Sequence, residues 1–203
     1  MSISTADRAR ISTAIRAAEA RTSGEIVCVL AQTSSDTTAL PILVAAIVAL
    51  ALPWLLVTFT ASSVSRVLLL QLITFFGLAA TLCLPLLRVA LIPRALRRAA
   101  AHRVAMEQFM IRGVAHKNER TGVLIFVSLA ERYARIIADE GIAARVPQTE
   151  WQRAIDALIA SVTNGRIADG FIAAIDVCGN VLATNFPRSE TSRDELPDRI
   201  YLI

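Results

Sequence analysis

Four carboxylates and one arginine are the residues of this sequence that could carry chemistry. The carboxylates are Glu131, Asp139, Glu140 and Asp169, and the arginine is Arg132. Carboxylate oxygens are the ligands that Mg²⁺ and Ca²⁺ prefer, and an arginine guanidinium can bind a phosphate through two parallel hydrogen bonds. If these residues converge in one cleft, they favour an enzyme whose carboxylates hold a metal ion and whose arginine binds a phosphate group. Arg132 and Asp139 are then the candidate catalytic residues, and the four carboxylates are the candidate metal ligands.

Each of these residues also has a structural interpretation, and the sequence favours it. Asp169 suits the first turn of a helix, where a negative charge is favourable. Glu131 suits a turn, and Asp139 and Glu140 suit a solvated strand end. Arg132 could bind a phosphate or simply pair with Glu131 or Asp139. No cofactor is therefore predicted with certainty, and Ca²⁺ or Mg²⁺ stays an open alternative.

The sequence lacks the motifs of the common hydrolytic and nucleotide-binding sites. It contains no P-loop, GxSxG, HExxH or Cys-x₅-Arg segment. His102 and His116 both lie in a basic stretch, where a solvated histidine is the preferred interpretation. Cys28, Cys83 and Cys178 lie far apart, so neither a disulfide framework nor a zinc site is predicted.

Two uncharged runs predict two transmembrane helices. They extend over residues 39–60 and 67–87, and each has about the 20 residues that an α-helix needs to cross the hydrocarbon of a bilayer. The composition agrees, because 55% of the residues are hydrophobic and the mean hydropathy is +0.55. We therefore predict a transmembrane hairpin within residues 39–93.

The charges around the two runs predict their orientation. Arginines are frequent before the first run and after the second, whereas the connecting loop contains only Arg66. The positive-inside rule then predicts a multi-pass membrane protein with both termini in the cytoplasm. The residues expected at the membrane interface are Trp54, Arg66, Arg88, Arg94, Arg97 and Arg98.

The residues outside the hairpin predict one α/β domain in two pieces. Residues 1–38 supply a helix and a first strand, residues 94–187 supply the remainder, and residues 188–203 form a charged tail. The β-branched run Glu25–Ala31 predicts a buried strand. Helices on both faces of a small mixed sheet would then form an αβα sandwich, with the transmembrane hairpin inserted after the first strand.

The second piece predicts two strands and three helices. The runs 122–129 and 132–139 are separated by a short turn and predict an antiparallel pair, with Gly141 ending the second strand. A basic amphipathic helix is predicted from Pro93 to about Arg112. A later helix is predicted to begin at a capping box formed by Thr149 and Gln152. The last helix ends before residue 187.

Several segments together resemble a known family. They are Glu25-Ile26-Val27, the run from Thr121 to Ser128 (TGVLIFVS), the following Leu129-Ala130-Glu131-Arg132, Glu140-Gly141, and Asp169-Gly170-Phe171. This set resembles the TPM domain family, also called TPM phosphatase-like, and within it the bacterial membrane-protein branch. The similar part covers about residues 24–31 and 95–183.

The resemblance implies an αβα sandwich and two kinds of function. Some family members have weak acid phosphatase activity, and others assist the assembly of membrane complexes. Prominent family positions correspond to Arg132, Gly141 and Gly170, and with Gly122 these glycines are expected to be structural. Glu131 stands where many relatives carry Asp, and many relatives are exported, whereas this domain is predicted to face the cytoplasm.

The preferred functional hypothesis is a membrane-anchored interaction or assembly module. Its partners would be the lipid bilayer and a membrane protein complex. The alternative is a weak metal-dependent phosphatase acting on phosphomonoesters, so the sequence leaves open whether the protein is an enzyme. A transporter subunit is least favoured, because the predicted spans contain no ionisable side chain. No nucleic-acid partner is expected, and the oligomeric state is undetermined.

Overall fold

The computed structural model describes residues 3–34, 39–59, 63–84, 93–114, 121–188 and 196–203. In chain order, its helices and strands are α1 (Thr5–Glu19), β1 (Glu25–Ala31), α2 (Ala39–Phe59), α3 (Val64–Leu82), α4 (Arg94–Ile111), β2 (Gly122–Ser128), β3 (Tyr133–Ala138), α5 (Glu140–Ala143), α6 (Gln148–Thr163), α7 (Ile167–Asn185) and β4 (Ile200–Leu202). The chain divides into two compact units. One contains residues 1–34 and 98–203, and the other contains residues 35–97.

A mixed four-stranded sheet organises the first unit, with the strand order β3-β2-β1-β4. β1 pairs in parallel with β2 from Glu25 opposite Gly122 to Ala31 opposite Ser128. β3 runs antiparallel to β2, as the short turn between the two runs predicts. All residues of β1 and β2 are buried, because helices cover both faces of the sheet. The α/β class and the mixed sheet are thus confirmed.

Two hydrophobic clusters lie on opposite faces of this sheet. On one face, α1, α6 and α7 supply side chains such as Ile15, Leu158 and Phe171. On the other face, Ala105 and Phe109 of α4 pack against alternate residues of β1 and β2. The alternation follows from the two-residue period of a strand. The helices α1, α6 and α7, together with the short α5, therefore cover one face of the sheet, and α4 covers the other.

The prediction of a tail outside the domain is wrong for residues 196–203. β4 pairs in parallel with β1, with Cys28 opposite Ile200. The pairing continues beyond the strand, because the Ile203 N–H donates to the Leu30 carbonyl at 3.0 Å. A strand of three residues has too few positions to show a hydrophobic period. It forms because the edge of β1 offers backbone partners.

Two local predictions are also wrong. Gly141 does not end the second strand of the predicted antiparallel pair. That strand, β3, already ends at Ala138, and Gly141 lies within α5. Asp139 caps that short helix, since its carboxylate accepts the Glu140 N–H at 2.7 Å. The predicted capping box is absent, because α6 begins at Gln148 and Thr149 lies inside its first turn.

The second unit consists of α2 and α3, which pack against each other. Within the described ranges, three helices are long and apolar enough to cross a membrane: Pro41–Phe59, Val64–Leu82 and Ile167–Asn185. α3 begins before the predicted residue 67 and includes Arg66 in its first turn. The third candidate is α7, whose apolar side chains are accounted for by the core of the first unit.

A half-buried carboxyl pair connects α1 with the segment before β4. The Glu19 carboxyl accepts the Ile26 N–H at 2.7 Å, and Arg16 donates to the Asp198 carboxylate at 3.0 Å. Burial, and secondly the neighbouring Asp198 carboxyl, raise the pKa of Glu19 to about 9. Glu19 is therefore protonated at neutral pH and can donate a hydrogen bond to Asp198.

We predict that this pair makes the stability of the domain depend on pH. Native Glu19 keeps a proton that the unfolded chain releases near its ordinary pKa of 4.5. The stabilisation is therefore complete below about pH 4.5 and is lost as the pH rises through about 9. Denaturant unfolding between pH 5 and pH 9 should show this decline, with a slope of up to about 1.4 kcal/mol per pH unit.

Glu19→Gln should flatten this decline, because the amide stays neutral and keeps a donor at every pH. Glu107→Gln, at an exposed position of α4, is the control and should keep the wild-type pH profile. Equal pH profiles for Glu19→Gln and the wild type would contradict the assignment.

Gly122 is required by close packing at the start of β2. A Cβ atom there would lie 2.5 Å from Val114 Cγ1 and 2.7 Å from the Val114 carbonyl oxygen. We therefore predict that Gly122→Ala lowers the free energy of unfolding by about 1–3 kcal/mol through overpacking. Thermal unfolding in detergent measures the effect. Gly77→Ala is the control, since a Cβ at Gly77 meets nothing within 4 Å. An unchanged melting temperature for Gly122→Ala would contradict the prediction.

Candidate functional site

The candidate site lies where the three parallel strands end. β1, β2 and β4 run in the same direction, so their carboxyl ends meet at one end of the sheet. Ligands of open α/β sheets commonly bind outside such ends. Four polar residues meet here, and we call them the Glu131 cluster: Thr33, Ser34, Ser128 and Glu131.

Donors from both strand ends surround the Glu131 carboxylate. Its Oε2 accepts the Ser34 N–H at 3.1 Å and the Ser128 hydroxyl in a very short hydrogen bond. Its Oε1 accepts the Thr33 hydroxyl at 3.2 Å. The Ser34 hydroxyl in turn donates to Ser128 Oγ at 2.8 Å. Ser128 is 1% exposed and Glu131 is 7% exposed, so these two side chains are buried, whereas Ser34 is half-buried and Thr33 is exposed.

The turn between β2 and β3 positions Glu131. The Leu129 N–H donates to the Ala31 carbonyl at 3.1 Å, and the Ala130 N–H donates to the Gln32 carbonyl at 3.2 Å. These bonds extend the β1–β2 ladder past the end of β2. Arg132 has a φ of +49°, the left-handed conformation that turns the chain into β3. Because this conformation costs roughly 1 kcal/mol in a residue other than glycine, the surrounding contacts must hold it.

The structure separates the sequence-predicted site residues. Asp139 follows the other end of β3, where its N–H donates to the Gly122 carbonyl at 2.9 Å. At about 3.4 Å per strand residue, Glu131 and Asp139 are roughly 20 Å apart or more. Glu140, next to Asp139, is exposed, and so is the side chain of Arg132. Asp169 lies on α7 and pairs with Arg10 at 2.7 Å.

This separation decides what the carboxylates can do together. Among the described residues, no group of three or more His, Cys, Asp or Glu side chains is arranged to hold a metal ion. The four candidate ligands therefore do not fit one Mg²⁺ or Ca²⁺ site, and no catalytic step is derived through a metal. Hydroxyl and amide donors surround Glu131, which instead connects the end of β1 to the β2–β3 turn.

Three members of the Glu131 cluster were missed by the sequence interpretation. Thr33 and Ser34 fall in a polar segment that looks like a linker, and Ser128 looks like the end of a strand. The spacing of Ser128 and Glu131, three residues apart, was the available signal. A second missed contact joins Tyr133 and His102, whose Oη and Nδ1 atoms are 3.4 Å apart.

The predicted interface residues lie on three helices. Trp54 is strongly exposed on α2, and Arg66 lies in the first turn of α3. Arg94, Arg97 and Arg98 lie in the first two turns of α4. Arg88 lies outside the described residues, as does His116.

Comparison with known proteins identifies the domain. Residues 86–181 match the family model of the TPM domain. The chain contains a TPM domain. The resemblance carried by its sequence segments is thereby confirmed. Ser128 and Glu131 lie within the matched residues of this TPM domain, whereas Thr33 and Ser34 lie before them.

A solved structure shares the fold. The NMR structure of the BA42 protein from the psychrophilic bacterium Bizionia argentinensis superimposes with a TM-score of 0.63 at 21% sequence identity. The superposition covers 100% of this chain and 96% of the BA42 chain. At this identity the likeness establishes the fold alone. No curated protein matches the sequence.

We predict that Glu131→Ala destabilises the TPM domain by about 2–4 kcal/mol, because it leaves the buried Ser128 hydroxyl and the half-buried Ser34 N–H without their acceptor. Denaturant unfolding of the detergent-solubilised chain measures the loss. The matched control is Glu140→Ala, at an exposed carboxylate near the other end of β3, which should change the stability by less than about 1 kcal/mol. Equal effects of the two substitutions would show that the Glu131 network does not hold the strand ends together.

Proposed function

We propose that this chain is an integral protein of the bacterial inner membrane, in which α2 and α3 form a transmembrane hairpin inserted after β1. We further propose that its cytoplasmic TPM domain is an interaction or assembly module. One observation carries the proposal. β1 and β2 are adjacent parallel strands of one sheet, yet α2 and α3 lie between them in the chain.

This chain order supports a two-span hairpin. Residues 1–34 and 98–203 belong to one compact unit, so both ends of the α2–α3 segment connect to the same domain. A segment that crosses a membrane and returns to the same domain must cross an even number of times. α7 does not alter that count, because its buried side chains belong to the hydrophobic core of the TPM domain.

The side chains of α2 and α3 support a lipid environment. Large apolar residues such as Leu50, Val57 and Leu69 are mostly exposed. An apolar surface of this extent is unfavourable in water and favourable in hydrocarbon. Ala45 and Ala49, one helical turn apart, are buried, as small residues are at the interfaces between transmembrane helices.

The arginines support the cytoplasmic orientation. Arg94 and Arg98 are exposed at the start of α4, and Arg97 is partly exposed. Basic residues next to a span favour the cytoplasmic side and attract anionic lipid headgroups. Both termini would then be cytoplasmic, and the short connection between α2 and α3 would face the periplasm.

An interaction function is supported better than catalysis. The Glu131 carboxylate already accepts hydrogen bonds from neighbouring strand ends, Asp139 lies at the other end of β3, and Asp169 is paired with Arg10. A weak phosphatase acting on phosphomonoesters therefore rests on the family name alone.

Cysteine labelling tests the proposed topology. In a Cys83→Ser background, we expect a membrane-impermeant maleimide to label Ser63→Cys in intact spheroplasts. Arg153→Cys, at an exposed position of α6, should react only after the membrane is permeabilised. Cys28 and Cys178 are buried and should stay unlabelled in both cases. Labelling of Arg153→Cys in intact spheroplasts would refute the proposed orientation.

Crosslinking in cells separates the interaction function from the enzymatic alternative. Purification from solubilised membranes after crosslinking should recover a specific partner protein, and Asp139→Asn should leave that recovery unchanged. The same preparation is assayed with a generic phosphomonoester. One outcome would favour the phosphatase over the interaction module. In it, no partner is recovered, the wild type turns over the phosphomonoester, and both Arg132→Ala and Asp139→Asn abolish that turnover.

A further inference from the structure

The outer strand of the sheet, β3, has one edge that pairs with no other strand among the described residues. The Asp139 N–H donates to the Gly122 carbonyl, so these two opposed residues form a hydrogen-bonded pair. In an antiparallel ladder such pairs alternate with pairs that do not exchange hydrogen bonds. Ala134, Ile136 and Ala138 therefore direct their N–H and C=O groups away from β2. In the sheet that the described residues form, β3 has no second neighbour.

A groove of about 280 Å³ runs along this edge. We call it the β3 groove. Its floor is formed by residues 135–138 of β3. Met106 of α4 lines one side, and Val146, Pro147 and Trp151 line the other. All of these residues belong to the TPM domain. The helical layers on the two faces of the sheet thus extend past its edge and leave an open channel along the strand.

One charge lies in this groove. Arg135 lines it and is exposed. By strand alternation Arg135 shares the α4 face of the sheet with Tyr133 and Ile137, which pack against the cluster under α4. An occupant of the groove would therefore meet a cation on the α4 side and an apolar wall on the other.

We propose that the β3 groove binds an extended peptide segment of a partner protein, whose side chains alternate between apolar and acidic. The segment would add a fifth strand beside β3. This inference rests on the proposed interaction function and names the kind of partner. An extended chain is the occupant because its N–H and C=O groups repeat at the strand spacing and satisfy those of Ala134, Ile136 and Ala138.

The alternation assigns a role to each wall. Apolar side chains of the bound segment would lie against Val146, Pro147 and Trp151, and acidic side chains would meet Arg135. A charged residue on an edge strand also discourages indiscriminate pairing, so Arg135 contributes to specificity.

Charge disfavours a second copy of this chain as the occupant. In a two-fold pairing with Ile136 opposite its own copy, the two Arg135 side chains would be diagonal neighbours on one face. Like charges at that separation are destabilising. A partner strand that carries a carboxylate removes this repulsion and replaces it with a charge-assisted hydrogen bond.

Two synthetic peptides test the proposal. Both are fluorescein-labelled heptapeptides, one alternating valine with glutamate and the other alternating valine with lysine. We expect fluorescence anisotropy to show binding of the glutamate peptide to the full chain in detergent, and no binding of the lysine peptide. Arg135→Glu should lower the affinity for the glutamate peptide about tenfold or more and should allow the lysine peptide to bind. Hydrogen exchange should slow at Ala134, Ile136 and Ala138 when the glutamate peptide is bound.

Two methionines of α4 provide a matched control. Met106 lines the groove and is 41% exposed, and Met110, one turn further along α4, is 53% exposed and is not among the groove residues. Met106→Glu should lower the affinity for the glutamate peptide, because the new carboxylate repels the peptide and the apolar contact of Met106 is lost. Met110→Glu should leave its affinity unchanged. Both positions are exposed, so both variants should fold.

Several results would overturn the proposal. If neither peptide binds, or if Arg135→Glu leaves the affinity for the glutamate peptide unchanged, the groove does not bind an acidic extended segment. A dimer in analytical ultracentrifugation that Met106→Glu dissociates, with no peptide binding, would assign the edge to a second copy instead. If a crosslinked partner is recovered equally well with Met106→Glu, the groove proposal fails and the interaction function stands. If no partner is recovered at all, the proposed function fails as well.

Discussion

The parallel pairing of β1 with β2 is the constraint on which the rest of this structure depends. Seven opposed pairs, from Glu25 with Gly122 to Ala31 with Ser128, connect segments that are about ninety residues apart in the chain. Forming this pair closes a long loop, whose entropic cost rises only slowly with its length. Both strands are completely buried, and each contributes side chains to two hydrophobic clusters. The two apolar helices lie in the loop that this pairing closes.

The polar features of the domain follow from where that pair ends. At its carboxyl end, Glu131 accepts hydrogen bonds from Thr33, Ser34 and Ser128, which holds the departing chain beside the β2–β3 turn. At its other end, Gly122 packs tightly against Val114. Glu131 precedes β3 and Asp139 follows it, so the length of β3 places these carboxylates at opposite ends of the sheet. A sheet of this topology is therefore well suited to fixing a chain connection, and less suited to gathering Glu131 and Asp139 in one site.

The two outer strands of the sheet, β4 and β3, differ in what surrounds their edges. The β4 edge is short, and its approach is fixed by Arg16, Asp198 and the neutral carboxyl of Glu19. The β3 edge instead lies in an open groove between helices on both faces of the sheet. An unpaired strand edge is a template for another chain. In the proposed function, α2 and α3 would anchor the domain in the membrane and β3 would bind the partner. The two roles would then belong to separate elements.

The sequence by itself determined the features that are local. Uniform apolar runs marked α2 and α3, and the β-branched segments marked β1, β2 and β3, because burial imposes a composition on each element separately. The mixed sheet was predicted on these grounds, whereas the TPM domain was predicted from the resemblance of several segments to that family. The sequence could not reveal β4, because its three residues form a strand only at the edge of β1. It also did not reveal where α5 and α6 begin. The distance between Glu131 and Asp139 follows from the extended course of β3 itself, which was predicted from the sequence. Tertiary structure alone decided that Thr33 and Ser34 meet Glu131, because their contact needs the parallel pairing of β1 with β2.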